Sequence, residues 1–496
     1  MKLLVCYFDI INLKQWRKNY NFGIGAISAY LKKNGFDVQL YYISEIPQFE
    51  FLKKIFSEYM PDLIGFSFTS AQAQYVKQLA KMFKQISDIP IIAGGIHTII
   101  CPDEIINIPE IDMVCVCEGE LALAELLTKI AQSSNYFEID GIWYKSNGKI
   151  IKTKNRKYIE DLDIIPFGDR DLFNYSEMYE PKIEKRAPYI CSRGCPYDCS
   201  YCANKVVREN LRLPSKIRFH SVDYVIEELK YLVKKYEIQY FRFDDDILPI
   251  NMQWYENFIK KYKERINLPF SCNMRFNLIN EEVLKLLVFG GCDQIQIGIE
   301  SGNEEYRKQF LHRNMSQDMI IKNMKLINKY NLKMYAFNLL GGPEEKPMQI
   351  LDTIKLNALG NVNMVQLSIM NVYPGTYIYD YCKKNNLLYD DYDKIPSYFD
   401  DKPVIKNPYL PFELLIFYKN NFFKLMRFYK KVFRLPQPFM KITCSFFDFM
   451  FTRQWIIKIF PIFQQAMYFY RNIRNILLFK PLVKKNAEII EGVGKN

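Results

Sequence analysis

Histidine is scarce in this 496-residue chain, and long apolar runs are missing from it. With only 3 histidines and no second pair of closely spaced cysteines, the sequence lacks the paired knuckles that structural zinc sites use. No uninterrupted apolar run approaches the roughly 20 residues that a membrane-spanning helix needs. The sequence has no recognisable secretory signal, and a chain this long can bury its own core, so we expect no disulfide framework. The sequence as a whole is 49% hydrophobic and has no low-complexity stretches, which predicts a globular protein of two or three domains.

Three of the 12 cysteines, Cys195, Cys199 and Cys202, follow the spacing CxxxCxxC. Iron–sulfur clusters normally take four cysteine thiolates, so a loop that supplies three leaves one iron free to bind a small molecule. We therefore predict a [4Fe–4S] cluster with its chemistry at the open iron. Cys191 is an alternative fourth ligand, which would give a zinc site or a closed cluster. Most other cysteines lie in apolar runs and are interpreted as small buried hydrophobic residues.

Beyond this loop, apolar stretches alternate with runs of helical spacing at residues 221–236, 252–266, 280–289, 316–330 and 348–359. Repeated βα units predict parallel strands, whose carboxyl ends bind ligands. We expect a partial (β/α)6 TIM-type barrel, with the cysteine loop after a first strand near residues 188–191. The polar or glycine-rich residues that follow its predicted strands are Asp244, Asp245, Arg275, Glu300, Ser301, Gly341 and Gly342.

Each of these residues also has a plainer interpretation. The run from Asp244 to Asp246 is also compatible with a solvated turn or a hard-cation site. Gly341 and Gly342 fit an ordinary turn as well as a close approach to a ligand. Glu300 ends an apolar strand, where a carboxylate needs a partner. That partner is either Arg275 or a ligand ammonium or ribose hydroxyl.

The first part of the chain predicts a separate α/β domain. Strands are expected at residues 3–7, 38–42, 63–68, 91–93 and 113–116, with helical runs between them, including residues 72–86. This alternation indicates a doubly wound, Rossmann-like domain of about 135 residues. Glycines at two strand–helix junctions let backbone amides approach a phosphate or ribose. Alone, the pattern specifies only a nucleotide-binding or response-regulator type of fold.

Taken together, the motifs resemble a known family. CxxxCxxC with Tyr201 directly before its last cysteine resembles the radical S-adenosylmethionine (SAM) superfamily, and similar motifs follow in order at residues 241–246, 272–275, 296–302, 338–344 and 373–376. Residues 66–70, 92–97 and 116–120 are similar to the cobalamin-binding domain of cobalamin-dependent radical SAM enzymes. The resemblance covers about four fifths of the chain.

The resemblance implies three cofactors and their contacts. A [4Fe–4S] cluster is expected on Cys195, Cys199 and Cys202. The expected SAM contacts are Tyr201, Asp244, Asp245, Arg275, Glu300, Ser301, Gly341 and Gly342. The expected cobalamin contacts are Ser67, Ser70, Gly94, Gly95, His97, Glu118 and Gly119. The Asp-x-His-x-x-Gly signature that supplies a histidine to cobalt in classical methyltransferases is absent from residues 8–12, which implies cobalt without a protein histidine ligand.

The implied reaction is reductive cleavage of SAM to a 5′-deoxyadenosyl radical, followed by methyl transfer from methylcobalamin to an unactivated carbon of a small-molecule or lipid-like substrate. Flavodoxin or ferredoxin is the implied electron donor, and the oxygen-sensitive cluster implies a cytoplasmic location. One alternative is a radical SAM cyclase, rearrangement or dehydrogenation enzyme without bound cobalamin. Another is a non-catalytic binding protein that responds to metal or cobalamin.

Four segments are therefore predicted. They are the cobalamin-binding domain at 1–138, a hairpin and linker at 139–184 with its turn at Asn147–Gly148, the barrel at 185–400, and a helical region at 401–496. From residue 402 onward, 17 Lys and Arg face 4 Asp and Glu, in a segment dense in aromatic residues. It is interpreted as a helical cap over the substrate, a peripheral contact with the inner face of the membrane, or a surface for an acidic partner. Nucleic acid is not favoured, because no RNA-binding module follows the barrel.

Overall fold

The computed structural model describes residues 1–11, 17–390, 395–396 and 400–462. Its first part is a seven-stranded sheet with helices on both faces. The strands are β1 Lys2–Phe8, β2 Asp37–Ile43, β3 Leu63–Ser67, β4 Ile91–Gly94, β5 Met113–Cys115, β6 Ile142–Ser146 and β7 Lys149–Ile151. The helices are α1 Phe22–Lys33, α2 Phe49–Tyr59, α3 Val76–Ile86, α4 Ile96–Ile100, α5 Pro102–Ile106 and α6 Gly119–Ala131.

The order β2-β1-β3-β4-β5 of parallel strands confirms the doubly wound domain. Side chains of β1 alternate between its two faces, so Leu3 and Val5 enter one core and Leu4 and Cys6 enter the other. Both faces of the sheet are therefore covered, as parallel sheets require.

The strands lie within a residue or two of their predicted positions, but some helices were missed. α2 was not predicted, because Gln48 provides no side-chain cap and Leu52 is its one fully buried residue. The helix predicted over residues 72–86 is a 3₁₀ turn, Ser70–Tyr75, followed by α3. α4 and α5 are too short for a periodic pattern to show.

The predicted hairpin is present and belongs to the first sheet. Asn147 and Gly148 both have positive φ, 50° and 73°, as a tight two-residue hairpin turn requires. β6 pairs antiparallel with β5, Met113 standing opposite Tyr144. The hairpin therefore extends the first sheet beyond residue 138, where the sequence placed the start of a hairpin and linker.

The second part is an open sheet of six parallel strands in the order β15-β14-β13-β12-β11-β8. Its strands are β8 Arg186–Tyr189, β11 Tyr240–Phe243, β12 Phe270–Met274, β13 Cys292–Glu300, β14 Lys333–Leu340 and β15 Met364–Ile369. A two-stranded ribbon, β9 Ser192–Arg193 and β10 Arg218–Phe219, stands apart from it. Because β8 and β15 form its two edges, the fold is a half-barrel, which confirms the partial barrel.

Helices cover the outside of this half-barrel. They are α7 Ala203–Asn210, α8 Val222–Tyr236, α9 Met252–Arg265, α10 Glu281–Gly290, α11 Glu304–Gln309, α12 Gln317–Lys329, α13 Pro347–Leu359 and α14 Tyr377–Lys384. Caps explain the sharp starts of several. Ser221, Asn251, Asn280 and Ser316 each accept a hydrogen bond from a backbone N–H in the first helical turn. Five of these helices match the predicted runs to within a residue or so.

The described part of the C-terminal region is helical, as predicted. α15 Phe412–Val432 packs along α13, and α16 Gln437–Phe451 starts directly after Pro436 and packs on both. Lys355 of α13 forms an ion pair with Asp448 of α16 at 3.0 Å. These helices thus lie against the outer layer of the half-barrel. The part of the predicted tail beyond residue 462 lies outside the described residues, and none of the described helices has the length and apolar character of a bilayer span.

Gly302, two residues after the end of β13, provides a test of this packing. A Cβ there would lie 2.2 Å from the backbone carbonyl oxygen of Asp352 on α13, which cannot move without shifting the helix. We expect Gly302→Ala to lower the free energy of unfolding by about 1–3 kcal/mol through overpacking, measured by thermal unfolding followed by circular dichroism. Gly65→Ala is the matched control, because its Cβ would meet Leu3 at an ordinary 3.4 Å. Equal destabilisation by the two changes would contradict this account.

Candidate active site

The three predicted cluster ligands lie in the loop between β9 and α7. Cys199 is buried, Cys195 and Cys202 are partly exposed, and Cys202 directly precedes α7. Backbone hydrogen bonds fix this loop to distant segments, because Ser200 donates to Leu311 and accepts from Ile378, both at 3.2 Å. Hydrogen bonds within the protein therefore fix the position of the loop without a contribution from a metal.

Asp245 supports the strand that leads into the cysteine loop. Its carboxylate accepts hydrogen bonds from the backbone N–H of Cys191, at 2.9 and 3.0 Å, and from the hydroxyl of Ser192. Burial raises the pKa of Asp245 to about 7. Of the predicted SAM contacts, Asp245 is thus the one that braces the backbone of the loop.

Two arginines approach the buried thiol of Cys199. Arg275 Nη1 lies 3.4 Å from its Sγ and Arg313 Nη1 lies 3.8 Å away. The Arg275 guanidinium also stacks on the ring of Tyr197 at 3.9 Å, and Arg313 contacts the Tyr201 hydroxyl at 3.2 Å. This surround of positive charge suits a thiolate ligand.

The chemistry of the three thiols fits a metal cluster. Burial raises the pKa of Cys195 to about 11 and that of Cys202 to about 12, so both become thiolates only beside a metal cation. Sulfur ligands of one tetrahedral zinc ion would lie about 3.8 Å apart. Among the described residues, the one group of three potential ligand atoms within 4.8 Å of one another lies elsewhere. These thiols are spread too widely for a single ion and suit a multi-iron cluster.

Cys191, the alternative fourth ligand, is fully buried in the main core. Burial, followed by the charge of Asp245, raises its pKa well above the usual value. The thiols of Cys195 and Cys202 instead interact with each other and with Cys199. Cys195, Cys199 and Cys202 therefore remain the predicted cluster ligands.

Glu300 ends β13 with a φ of +60°, a backbone conformation that residues other than glycine rarely adopt. The pairing of β13 with β14 is irregular at the same place. Glu300 is buried, and burial raises the pKa of its carboxyl. It forms an ion pair with Arg313 at 3.8 Å, a residue that was not among the partners considered from the sequence. A strained, buried carboxylate at a strand end is typical of a ligand-binding position. Ser301, which follows it, is also buried, and its hydroxyl accepts from the backbone N–H of Asn303.

Gly341 and Gly342 follow β14 and donate their backbone N–H groups to Glu345 Oε2, at 2.7 and 3.4 Å. Side chains from elsewhere explain why both are glycine. A Cβ at Gly341 would lie 2.8 Å from Leu415 of α15, and one at Gly342 would lie 2.2 Å from the Tyr306 hydroxyl. The turn is therefore closely packed on its outer side.

The inner face of the half-barrel is polar. Arg242 forms ion pairs with Asp244 at 2.8 Å and with Glu180 at 2.6 Å. Further along this face, the Tyr335 hydroxyl donates to Gln366 at 3.1 Å. These groups could orient a polar substrate, and they place Asp244 beside an arginine of its own strand.

A cavity of about 510 Å³ joins the two sheets. It is bounded by the strand ends of the first domain and reaches the cysteine loop at Cys195. Five of the seven predicted cobalamin contacts line it, namely Ser67, Gly94, Gly95, Glu118 and Gly119. The carboxyl ends of the first sheet therefore face the cluster loop across one space.

Glu118 fastens the two sides of this cavity together. Its carboxylate accepts hydrogen bonds from Arg193, at 3.0 Å, and from Arg218, at 2.9 Å, and also from the backbone N–H of Ile159. Burial alone would raise the pKa of Glu118, but the hydrogen bond from Arg218 and the charge of Arg193 outweigh it and lower the pKa. Arg193 lies two residues before Cys195, so this ion pair sets the distance from the first domain to the cluster loop.

The wall at Gly94 and Gly95 has room for a cofactor. A Cβ at Gly94 would lie 3.8 Å from its nearest neighbours, so packing within the chain does not require glycine there. Gly95 has φ of +92°, and a Cβ would lie 2.7 Å from the Phe68 carbonyl oxygen. The first glycine thus leaves space on the cavity side, and the second makes the sharp turn into α4.

Ser70 and His97, the remaining predicted cobalamin contacts, are not among the residues that line the cavity. They contact each other, with His97 Nδ1 3.0 Å from Ser70 Oγ. The His97 ring lies beside that of Phe68, at 6.0 Å between centroids.

Family models match both halves of this arrangement. The radical SAM superfamily matches residues 189–356, and the B12 binding domain matches residues 17–127. The chain belongs to the cobalamin-dependent radical SAM family. As a radical SAM enzyme with a B12-binding domain, it has the cofactor set that was predicted: a [4Fe–4S] cluster, SAM and cobalamin.

Individual relatives agree with this family. The radical SAM enzyme is 29% identical over 349 residues to an uncharacterised methyltransferase of Pyrococcus horikoshii. The aligned region covers 70% of this chain and 74% of that one. It is 23% identical over 366 residues to an anaerobic magnesium-protoporphyrin IX monomethyl ester cyclase of Rubrivivax gelatinosus, covering 71% and 64%. It shares its fold with the methyltransferase TsrM of Kitasatospora setae, solved with cobalamin and a [4Fe–4S] cluster, at a TM-score of 0.62, 14% identity and 82% of each chain.

Several residues of the site in this radical SAM enzyme were not predicted from the sequence. Arg313 follows α11 with no motif around it, and Arg193 and Arg218 reach Glu118 over 75 and 100 residues of chain. Arg170 lines the cavity between the rings of Tyr20 and Tyr175, and two of its nitrogens have no hydrogen-bond partner among the described residues. The available signal for Arg170 was a single basic residue among the five acidic ones of residues 158–171.

Glu345 gives a prediction for pH dependence. Burial raises its pKa to about 8, above the value near 4.5 of an unfolded chain, so the folded protein holds a proton that the unfolded chain releases between these two values. This contribution to stability is complete below pH 4.5 and is lost as the pH rises through about 8. Glu345→Gln keeps an oxygen for Gly341 and Gly342 without ionising.

We therefore compare the melting temperature of Glu345→Gln with that of the unchanged protein at two pH values, by thermal unfolding in matched buffers. We expect the difference, variant minus unchanged protein, to be larger at pH 8 than at pH 5.5. Glu237→Gln, at an exposed position, is the control and should show little difference between the two pH values. A pH-independent effect of the Glu345 change would contradict a raised pKa at this position.

Proposed function

We propose that this radical SAM enzyme is a methyltransferase that cleaves SAM reductively and methylates an unactivated carbon of a small-molecule or lipid-like substrate. The observation that carries the proposal is the single cavity between the Gly94–Gly95 wall and Cys195. A methyl donor in the first domain and a radical source at the cluster loop would share that space. Proximity of this kind supplies much of the rate in reactions between bound partners.

When bound, the cluster and SAM supply a 5′-deoxyadenosyl radical, and cobalamin supplies a transferable methyl group. The chain supplies position and charge. Arg275 and Arg313 hold positive charge beside the Cys199 thiolate, and the buried Glu300 offers a carboxylate to the ammonium or a ribose hydroxyl of SAM. The largely apolar lining of the cavity would keep water away from a radical and so protect it from side reactions.

The proposed SAM contacts are those expected from the sequence, Tyr201, Asp244, Asp245, Arg275, Glu300, Ser301, Gly341 and Gly342, with Arg313 added. Ser70 and His97, which the sequence also indicated, do not line the cavity and are left out of the proposal. The proposed cobalamin contacts are Ser67, Gly94, Gly95, Glu118 and Gly119. Arg170 is added to them because its two unpaired, buried N–H-bearing nitrogens can donate to the amide oxygens of a cofactor.

The electron donor and the location of the enzyme belong to the same proposal. A flavodoxin or ferredoxin would reduce the cluster in the cytoplasm. We also propose that the C-terminal region contacts the inner, anionic face of the membrane.

The proposed membrane contact is supported by an exposed apolar face on α16. Phe439, Ile442, Phe446 and Phe449 share this face and are 64%, 69%, 57% and 55% exposed. Exposed apolar side chains at helical spacing are typical of a binding face. Lys441 lies within the same stretch, and from residue 402 onward basic residues far outnumber acidic ones, which suits anionic headgroups.

The similarity to the cyclase of Rubrivivax gelatinosus favours a second candidate function, radical SAM chemistry without methyl transfer. The name of this relative, a cyclase, supports ring closure without methyl transfer as that candidate. Such an enzyme would make 5′-deoxyadenosine without moving a methyl group. A non-catalytic binding protein would make neither product.

Anaerobic reconstitution with iron, sulfide and cobalamin tests the function. We expect four irons and one cobalamin per chain after gel filtration, and release of 5′-deoxyadenosine from SAM on reduction. Methyl-labelled SAM should label a carbon of the substrate. Cys199→Ala should lose both the iron and SAM cleavage, whereas Cys444→Ala, at a cysteine of α16, should keep them.

Each contrary result has a definite meaning. Cleavage of SAM by Cys199→Ala would refute the ligand assignment. A protein that cleaves SAM but never retains cobalamin would refute methyl transfer in this form and favour the cyclase type. Uptake of zinc with SAM left intact would refute both enzymes.

Vesicle flotation tests the membrane contact. We expect the holoenzyme to float with phosphatidylglycerol vesicles much more than with phosphatidylcholine vesicles, and the double change Phe439→Ser with Phe446→Ser to reduce flotation several-fold, because about 1.5–3 kcal/mol is lost for each buried aromatic side chain. Val288→Ser on α10 is the control, since Val288 is also exposed but lies on another face. Flotation that is indifferent to the α16 changes would contradict the contact.

A further inference from the structure

His97, Cys101 and Glu104 bring together three potential metal ligands at the junction of α4 and α5. A nitrogen of His97, the Cys101 sulfur and a Glu104 carboxylate oxygen all lie within 4.8 Å of one another. The two short helices meet at Cys101, and Pro102 starts the second. This break brings residues at spacings of four and three onto one side of the segment.

The His97 ring is oriented as a metal-binding histidine usually is. Its side chain is 3% exposed, and its Nδ1 is held by Ser70 Oγ at 3.0 Å, which leaves Nε2 pointing the other way. Nε2 is buried and has no hydrogen-bond partner among the described residues. Histidines that bind metal through one nitrogen commonly have the other fixed by a hydrogen bond in this way.

The distances suit a small cation with an open side. Nε2 lies 3.6 Å from Glu104 Oε2, close to the separation of about 3.3–3.5 Å between nitrogen and oxygen ligands of a tetrahedral zinc ion. Glu104 is 59% exposed, so a water molecule can complete the coordination. The neighbouring carboxylate, Asp103, is paired with Lys152 and so is not needed as a ligand.

We propose that His97, Cys101 and Glu104 bind one divalent transition-metal ion, separate from the iron–sulfur cluster. Nitrogen, thiolate and carboxylate ligands together favour Zn²⁺ or Fe²⁺ over Mg²⁺ or Ca²⁺. The thiol of Cys101 gives up its proton to solvent when the ion binds.

The ion would stabilise one wall of the cofactor cavity. α4 begins directly after the Gly94–Gly95 turn, and its residues Ile96 and Ile99 line the cavity. The Ile99 carbonyl accepts a hydrogen bond from Asn210 of α7, the helix that follows the cluster loop, at 2.9 Å. A metal at the outer end of α4 would therefore hold this wall against both domains.

Zinc binding to the cluster-loaded protein tests this inference. After removal of loosely bound metal with a mild chelator, we expect the unchanged protein to take up one equivalent of Zn²⁺ with its cluster absorption intact, and its melting temperature to rise. Co²⁺ at the same site should give thiolate-to-cobalt absorption. Cys101→Ala should abolish that absorption, and Glu104→Gln, at an exposed position that tolerates change, should weaken Zn²⁺ binding by about tenfold or more.

Cys444→Ala is the matched control, because Cys444 is also partly exposed and lies on α16, away from these residues. It should bind Zn²⁺ and Co²⁺ as the unchanged protein does. The proposal would be overturned if Cys101→Ala and Glu104→Gln bound Zn²⁺ as tightly as the unchanged protein does. It would also be overturned if the unchanged protein bound no stoichiometric Zn²⁺. Neither result depends on SAM cleavage, so the proposal and the proposed function fail separately.

Discussion

The ion pairs of Glu118 with Arg193 and Arg218 are the interaction on which the rest of the site depends. The carboxylate stands at the strand end of the first domain, and Arg193 belongs to the ribbon that carries the cysteine loop. A buried ion pair adds little net stability, because desolvation offsets much of its attraction. What it fixes is position, since removing either partner leaves an uncompensated charge. Together with contacts such as that of Asn210 with Ile99, this ion-pair cluster holds the two sheets facing each other across the cavity.

Much of the fold was predictable from the sequence, because it rests on local patterns. Strands and capped helices of the half-barrel repeat the same apolar and polar alternation, and caps such as Ser221 and Asn280 mark where helices begin. The hairpin turn at Asn147 and Gly148 needs two positive φ angles, which few other residue pairs allow. The cysteine loop was legible because three ligands of one metal cluster lie within eight residues.

The site was only partly predictable, because its electrostatics come from residues far apart in the sequence. Arg313 lies 114 residues beyond Cys199, and Arg218 lies 100 residues beyond Glu118. Gly341 and Gly342 were identified by motif, yet their packing against Leu415 and Tyr306 involves a helix that the motif does not include. Pairings such as these depend on which strand ends meet, and a linear pattern carries no record of that.

Some of the unsatisfied and strained groups of the described chain lie where the cofactors are expected. Nitrogens of Arg170, Arg275 and Arg313 are buried without a hydrogen-bond partner among the described residues, and Glu300 holds a left-handed backbone conformation. Each such group costs of the order of 1–3 kcal/mol when left alone. Stability does not explain these costs, whereas ligands bound in the cavity at Arg170, and beside the cysteine loop at Arg275, Arg313 and Glu300, would offset them. Cofactors that donate to or accept from these groups bind the folded protein and not the unfolded chain. Cofactor binding therefore stabilises the folded protein, and with it the arrangement of the two domains.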